Sequence, residues 1–229
     1  MITIYCFSAT GRSRRVAEYF AQRLNLNVCD VDNRCFDTAK YSNTAVIVFP
    51  VYCQNIPTPL KMLLPKIKAD NFVLISTYGK KSFGNVIYEA AKLIKGSVIA
   101  AAYVPIGHTY LNENDDVDFS LLEPIFERIA NPKEVKIPKT SKNPLADFLP
   151  EIRSRVGVRI KTSDKCIGCN LCGEKCVMSA IYKGKINKSC IRCLRCVNIC
   201  PNNAFEVKYN IFIKIYLKIK NYKKTKIYL

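Results

Sequence analysis

Eight of the twelve cysteines in this 229-residue chain fall between positions 166 and 200, in two runs of identical spacing. The first is Cys166-Ile-Gly-Cys169-Asn-Leu-Cys172-Gly-Glu-Lys-Cys176. The second, 24 residues on, is Cys190-Ile-Arg-Cys193-Leu-Arg-Cys196-Val-Asn-Ile-Cys200, followed by Pro201. This C-x2-C-x2-C-x3-C spacing constrains the fold strongly. A tight turn over three cysteines presents three thiolates to one face of a 4Fe-4S cubane, and the fourth points elsewhere and ligates the other cluster. The pattern assigns Cys166, Cys169, Cys172 and Cys200 to one cubane, and Cys190, Cys193, Cys196 and Cys176 to a second. Zinc sites pair two knuckles across a longer spacer and gain nothing from the third and fourth cysteines.

A disulfide framework belongs to an oxidising compartment. The N-terminal MITIYCFSATGRSRR places its apolar stretch before its charges, the reverse of an export signal, so a cytoplasmic location is expected. No run of some 18 apolar residues occurs, and no membrane span is expected. The other cysteines, Cys6, Cys29, Cys35 and Cys53, are scattered; Cys6 reads as a small apolar filler within a strand.

The net charge of +18 is unevenly placed: residues 1–150 hold 18 basic and 14 acidic side chains, and residues 151–229 hold 18 and 4. Such a surface suits acidic redox partner proteins. No nucleic-acid recognition motif accompanies it, and no nucleic-acid partner is expected. Residues 207–229 read as a basic, poorly ordered tail with seven lysines among 208–229 and no acids; weak contact with a membrane surface is its one membrane role.

Upstream, apolar strands are expected over 2–7, 27–31, 45–49, 71–77 and 98–104, with helices from Ser13, over 58–67 as far as Pro65 permits, over 85–95 and over 118–130. Strands without clean alternation, separated by helix-length segments, indicate a doubly wound parallel α/β sheet of five strands covered on both faces. The domains are then 1–130, a proline- and lysine-rich linker at 131–158 that wraps rather than packs, a small α+β cysteine domain at 159–206, and the tail.

Three loops leave the same edge of that sheet. Ser8-Ala9-Thr10-Gly11-Arg12-Ser13 opens a helix and combines hydroxyls, a glycine and free amides, an arrangement suited to an anion. The others are Phe49-Pro50-Val51-Tyr52-Cys53-Gln54-Asn55-Ile56-Pro57 and Thr77-Tyr78-Gly79-Lys80-Lys81-Ser82-Phe83-Gly84, which can surround a flat ring with Tyr52 or Tyr78 stacked on it. His108, the one histidine, sits in a following loop, where it is a proton donor or a hydrogen-bonding loop residue.

The cysteine segment resembles the bacterial two-cluster ferredoxins, with Ala180-Ile181 and Ala204-Phe205 after the last cysteine of each run. Val177 replaces the usual proline, and Pro201 keeps it. The whole resembles the anaerobe proteins that fuse a flavodoxin-like domain to such a ferredoxin. The resemblance rests on FPVY…IP, TYG…G and Val104-Pro105-Ile106-Gly107-His108-Thr109-Tyr110, and it covers residues 1–110 and 160–206. It implies FMN, with Ser8, Thr10, Gly11, Arg12 and Ser13 at the phosphate and Pro50, Val51, Tyr52, Thr77, Tyr78, Gly79 and Gly84 around the ring. Arg12 stands in place of the usual asparagine, and a guanidinium is well suited to phosphate.

The expected function is electron transfer between two 4Fe-4S clusters, FMN and protein partners, with no catalytic residue set. A flavin-dependent reductase of a small acceptor and a non-redox module with structural clusters stay open as alternatives.

Overall fold

The structure is a computed structural model that describes residues 1–32, 41–111, 113–148, 150–219 and 222–229, so Cys35 lies outside the described residues. The α/β part runs β1 (Ile2–Cys6), α1 (Arg12–Leu24), β2 (Val28–Asp30), β3 (Ser42–Pro50), α2 (Thr58–Leu63), β4 (Lys68–Tyr78), α3 (Val86–Ala91), β5 (Lys95–Pro105) and α4 (Pro124–Ala130). β1 to β5 are parallel in the order β5-β4-β3-β1-β2, the flavodoxin-like order, with a switch point beside β1.

Successive side chains of each strand take opposite faces. Ile4, Cys6, Val46, Val48 and Val73 pack with Val16, Ala17 and Phe20 of α1 and Ile125 and Ile129 of α4. Tyr5, Phe7, Ile47, Phe49 and Leu74 pack with Leu60 and Leu63 of α2 and Val86 and Ala90 of α3. Both faces are covered, which explains the unbroken apolar runs. Pro65 ends α2 as its missing N–H requires, and a single 3-10 turn follows.

After α4 the chain does not merely wrap. The Val135 amide donates to the Val98 carbonyl at 2.8 Å, Val135 and Ile137 lie on the β-sheet face, and Lys142 Nζ reaches Asn55, Glu89 and Asp147. Then come α5 (Pro150–Gly157), β6 (Val158–Thr162), α6 (Leu171–Glu174), β7 (Ile181–Tyr182), β8 (Lys185–Ile186), α7 (Arg195–Ile199), β9 (Phe205–Tyr209), α8 (Ile211–Lys218) and β10 (Lys226–Tyr228). β6 pairs with β9 and β7 with β8, each antiparallel.

The tail departs most from expectation. Asn210 caps α8 by accepting from the Ile213 amide at 2.9 Å. β10 then pairs antiparallel with β5, making the sheet six-stranded rather than five-stranded. Tyr78 Oη donates to the Lys224 carbonyl at 2.7 Å, the Tyr222 amide donates to the Lys80 carbonyl at 2.6 Å, and Lys81 Nζ donates to the Leu217 carbonyl at 2.9 Å. The physical reason is twofold. β5 would otherwise be an open edge, and Ile227 and Tyr228 carry apolar surface to the two sheet faces. Among the described residues no helix is long and apolar enough to cross a membrane.

Candidate metal and cofactor sites

Each cysteine run makes the same turn. Left-handed backbone recurs at Gly168, Asn170 and Ser179 and, 24 residues on, at Arg192, Leu194 and Asn203. Arg192 and Leu194 hold that conformation without being glycine, a strain that persists only where surrounding structure imposes it. The turns lead into α6 and α7. The distal cysteines are placed alike: Cys176 Sγ accepts from the Ala180 amide at 3.3 Å and Cys200 Sγ from the Ala204 amide at 3.4 Å.

Cys166, Cys169, Cys172 and Cys200 border one space, together with Ile167, Pro201 and Phe205. Cys176, Cys190, Cys193 and Cys196 border a second, with Met178, Ile186 and Ile191; Cys172 reaches this one too. None of the described cysteines is in a disulfide. Among the described residues no three His, Cys, Asp or Glu side chains form a group that could hold a single metal ion. Four thiols around a shared apolar space fit a cubane, and the distal cysteine of each run faces the other run's space. Burial pushes the Cys193 thiol up to about 11 and the Cys196 thiol up to about 12, against the pull of the Arg195 and Val197 amides. Metal binding there must displace protons.

At the sheet's carboxyl edge, Gly11 (φ 87°) turns the chain into α1, and a cavity of about 420 Å³ opens beside it. It is lined by Thr10, Gly11, Arg12, Arg15, Thr109, Asp115 and Asn198. Arg12 Nη1 lies 2.8 Å from Asp115 Oδ1, which also accepts from the Gly107 amide at 2.7 Å. Arg15 is 3.6 Å from the same carboxylate. Two guanidiniums against one carboxylate, at a helix N-terminus, leave the cavity net positive and suited to an anion.

Of the residues expected at a phosphate, Thr10, Gly11 and Arg12 line this cavity. Ser8 and Ser13 have other partners: Ser8 Oγ accepts from the Arg14 amide at 3.2 Å, and Ser13 Oγ and Thr77 Oγ1 of β4 share a buried hydrogen bond of 2.8 Å. Pro50, Val51, Tyr52, Thr77, Tyr78, Gly79 and Gly84 are not among the lining residues. The Tyr78 ring lies in the core against Phe83 and Tyr222, and a β-carbon on Gly79 would stand 2.6 Å from His108 Cδ2. Arg15, Asp115 and Asn198 were not singled out in the sequence, and Thr109 entered only within the segment Val104 to Tyr110.

A group of aromatic side chains joins the two halves. His108 packs on Tyr110 and on Tyr216 of α8, with ring centroids 5.3 and 5.9 Å away, and Tyr110 packs on Tyr209. Tyr110 Oη donates to the Arg192 carbonyl at 2.9 Å, tying the loop after β5 to the second cysteine turn. Burial lowers His108 to about 4, with Glu113 opposing. Burial raises the Tyr52 hydroxyl well above its ordinary value, and Cys193 adds to the shift.

Residues 185–206 match the profile of the 4Fe-4S binding domain. Two uncharacterized proteins of Methanocaldococcus jannaschii are similar over short stretches. One is 34% identical over 67 residues, 29% of this chain and 28% of the relative. The other is 41% identical over 44 residues, 19% of this chain and 18% of the relative. The chain thus spans less than a third of the length of these relatives. Two crystal structures, each provisionally called a flavoprotein, also align. That from Bacteroides eggerthii has a TM-score of 0.40 and 15% identity, over 56% of this chain and 97% of that one. That from Bacteroides uniformis has a TM-score of 0.37 and 14% identity, over 47% and 91%. Fold and site define a mostly parallel α/β sheet of flavodoxin-like order. To it is joined, at the C-terminal end, a 4Fe-4S binding domain.

Proposed function

We propose that the chain is an electron-transfer protein holding two 4Fe-4S clusters and one FMN, exchanging electrons with acidic protein partners. The observation that carries this most directly is the pair of thiol-lined spaces, the second of which abuts the α/β core: Cys176, Val177, Cys190 and Ile191 pack against the sheet-face cluster. A cubane passes single electrons and a flavin one or two, so the combination would join one- and two-electron chemistry.

The chain's own contribution is placement and shielding. Cys166, Cys169, Cys172 and Cys200 would hold the outer cluster, and Cys176, Cys190, Cys193 and Cys196 the inner one. Thr10, the Gly11–Arg12 backbone, Arg12 and Arg15 would receive the phosphate in the cavity. His108, Tyr110 and Tyr216 keep water from the boundary between inner cluster and sheet. Ile167, 71% exposed beside Cys166, makes the outer cluster the port for a partner, and the excess of basic residues after position 150 would guide an acidic one.

The test is stepwise anaerobic reduction of reconstituted protein, followed by absorbance. Bleaching of both clusters, transfer to added FMN and rapid onward transfer to an acidic redox protein are expected. Clusters that stay oxidised down to about −700 mV, the lower end of the biological range, would refute the proposal.

A further inference from the structure

The anion cavity is not confined to the α/β domain. Asn198 lines it from α7, two positions from both Cys196 and Cys200, and faces the loop that carries Thr10, Gly11 and Arg12. A second group of the cysteine domain sits at the same boundary. Arg192 lies between Cys190 and Cys193, and its carbonyl is held by Tyr110 Oη. Among the described residues its Nε and Nη1 are buried with no hydrogen-bond partner, and it is not one of the residues bordering the cluster space of its own turn. Buried guanidinium N–H groups without acceptors are costly and uncommon. A ligand rich in oxygen and nitrogen acceptors, seated between the two domains, would satisfy them.

We propose that the cysteine domain completes the flavin site. Asn198 contributes its amide to the phosphate–ribityl end in the cavity, and Arg192 donates to an acceptor of the same cofactor. This rests on the FMN assignment above and adds two residues to it. Flavin affinity then depends on the docking of the cluster-binding turns, and loss of the cluster held by Cys190, Cys193 and Cys196 should loosen the flavin as well.

The test is titration of the full-length, cluster-loaded chain with FMN and with riboflavin, followed by quenching of flavin fluorescence. Asn198→Asp sets a carboxylate of the same shape against the phosphate and is expected to weaken FMN more than tenfold while leaving riboflavin within threefold. Asn198→Ala should weaken FMN about tenfold, the loss of one hydrogen bond to a charged group. Arg192→Gln should weaken both flavins about tenfold. Unchanged iron and labile sulfide in each variant report intact cluster turns; should Asn198→Asp lose iron, Asn198→Ala carries the test. Wild-type FMN affinity in Asn198→Ala and Arg192→Gln would overturn the proposal. A wild type that binds riboflavin and FMN equally weakly would instead overturn the FMN assignment, and this inference with it.

Discussion

The two cysteine turns are not equivalent in how they support the α/β domain, and the difference is measurable. Met178, 7% exposed, belongs to the apolar cluster on one face of the sheet, and Val177 and Ile191 pack against it. Cys166, Cys169, Cys172 and Cys200 do not. Cys193→Ala removes one of the thiols proposed to hold the inner cluster and is expected to free these contacts. Full burial of one Met plus half-burial of a Val and an Ile amounts to roughly 4 kcal/mol at most. At about 2–4 °C per kcal/mol for a chain of this size, the unfolding transition should fall by about 8–16 °C. Cys166→Ala should lose a similar amount of iron, about half, yet move the transition by less than about 3 °C. Anaerobic thermal unfolding by circular dichroism, paired with iron analysis, reads both. Equal shifts in the two variants would refute the inner and outer assignment.

Three further outcomes are expected. Because His108 is neutral in the folded state down to about pH 4 whereas the unfolded chain takes up its proton near 6.5, stability should fall as pH drops from about 6.5 to about 4 and level off below. The loss is about 3 kcal/mol at most; His108→Asn should flatten the slope, and an unchanged slope would exclude His108 as its source. In Gly107→Ala the new β-carbon would stand 1.9 Å from Arg12 Nη1 and 2.5 Å from the Glu113 carbonyl. That should cost about 1–3 kcal/mol in melting experiments and displace the Arg12–Asp115 pair. Tyr78→Phe leaves the Lys224 carbonyl without its donor, a loss of about 1 kcal/mol. Limited proteolysis within 222–229 should speed up about fivefold, and an unchanged rate would show that the tie does not hold the tail.

Much of this was legible in the sequence because its causes are local. β1, β3, β4 and β5 are continuous apolar runs, and the cysteine spacing dictates its own turn whatever surrounds it. The loop before α1 was found by its glycine and hydroxyls, although Ser8 and Ser13 spend their side chains on neighbours. What escaped depends on long-range contact. The alternation in Ile211–Lys218 resembles a strand, yet Asn210 caps it as a helix, and Ile213 and Tyr216 turn inward while Phe212 stays 75% exposed. β10 exists because β5 offers an edge, which lysine content cannot reveal. Asn198 reaches the cavity only through the docking of two domains. Tyr78, read as a ring-stacking residue, continues the strand alternation one step further and lies in the core.

The most direct test of the account is metal, sulfide and zinc analysis of anaerobically purified protein, with electron paramagnetic resonance after reduction. About eight iron and eight labile sulfide per chain are expected, with signals of two interacting 4Fe-4S clusters. Stoichiometric zinc, or cystines in place of the eight thiols, would contradict it.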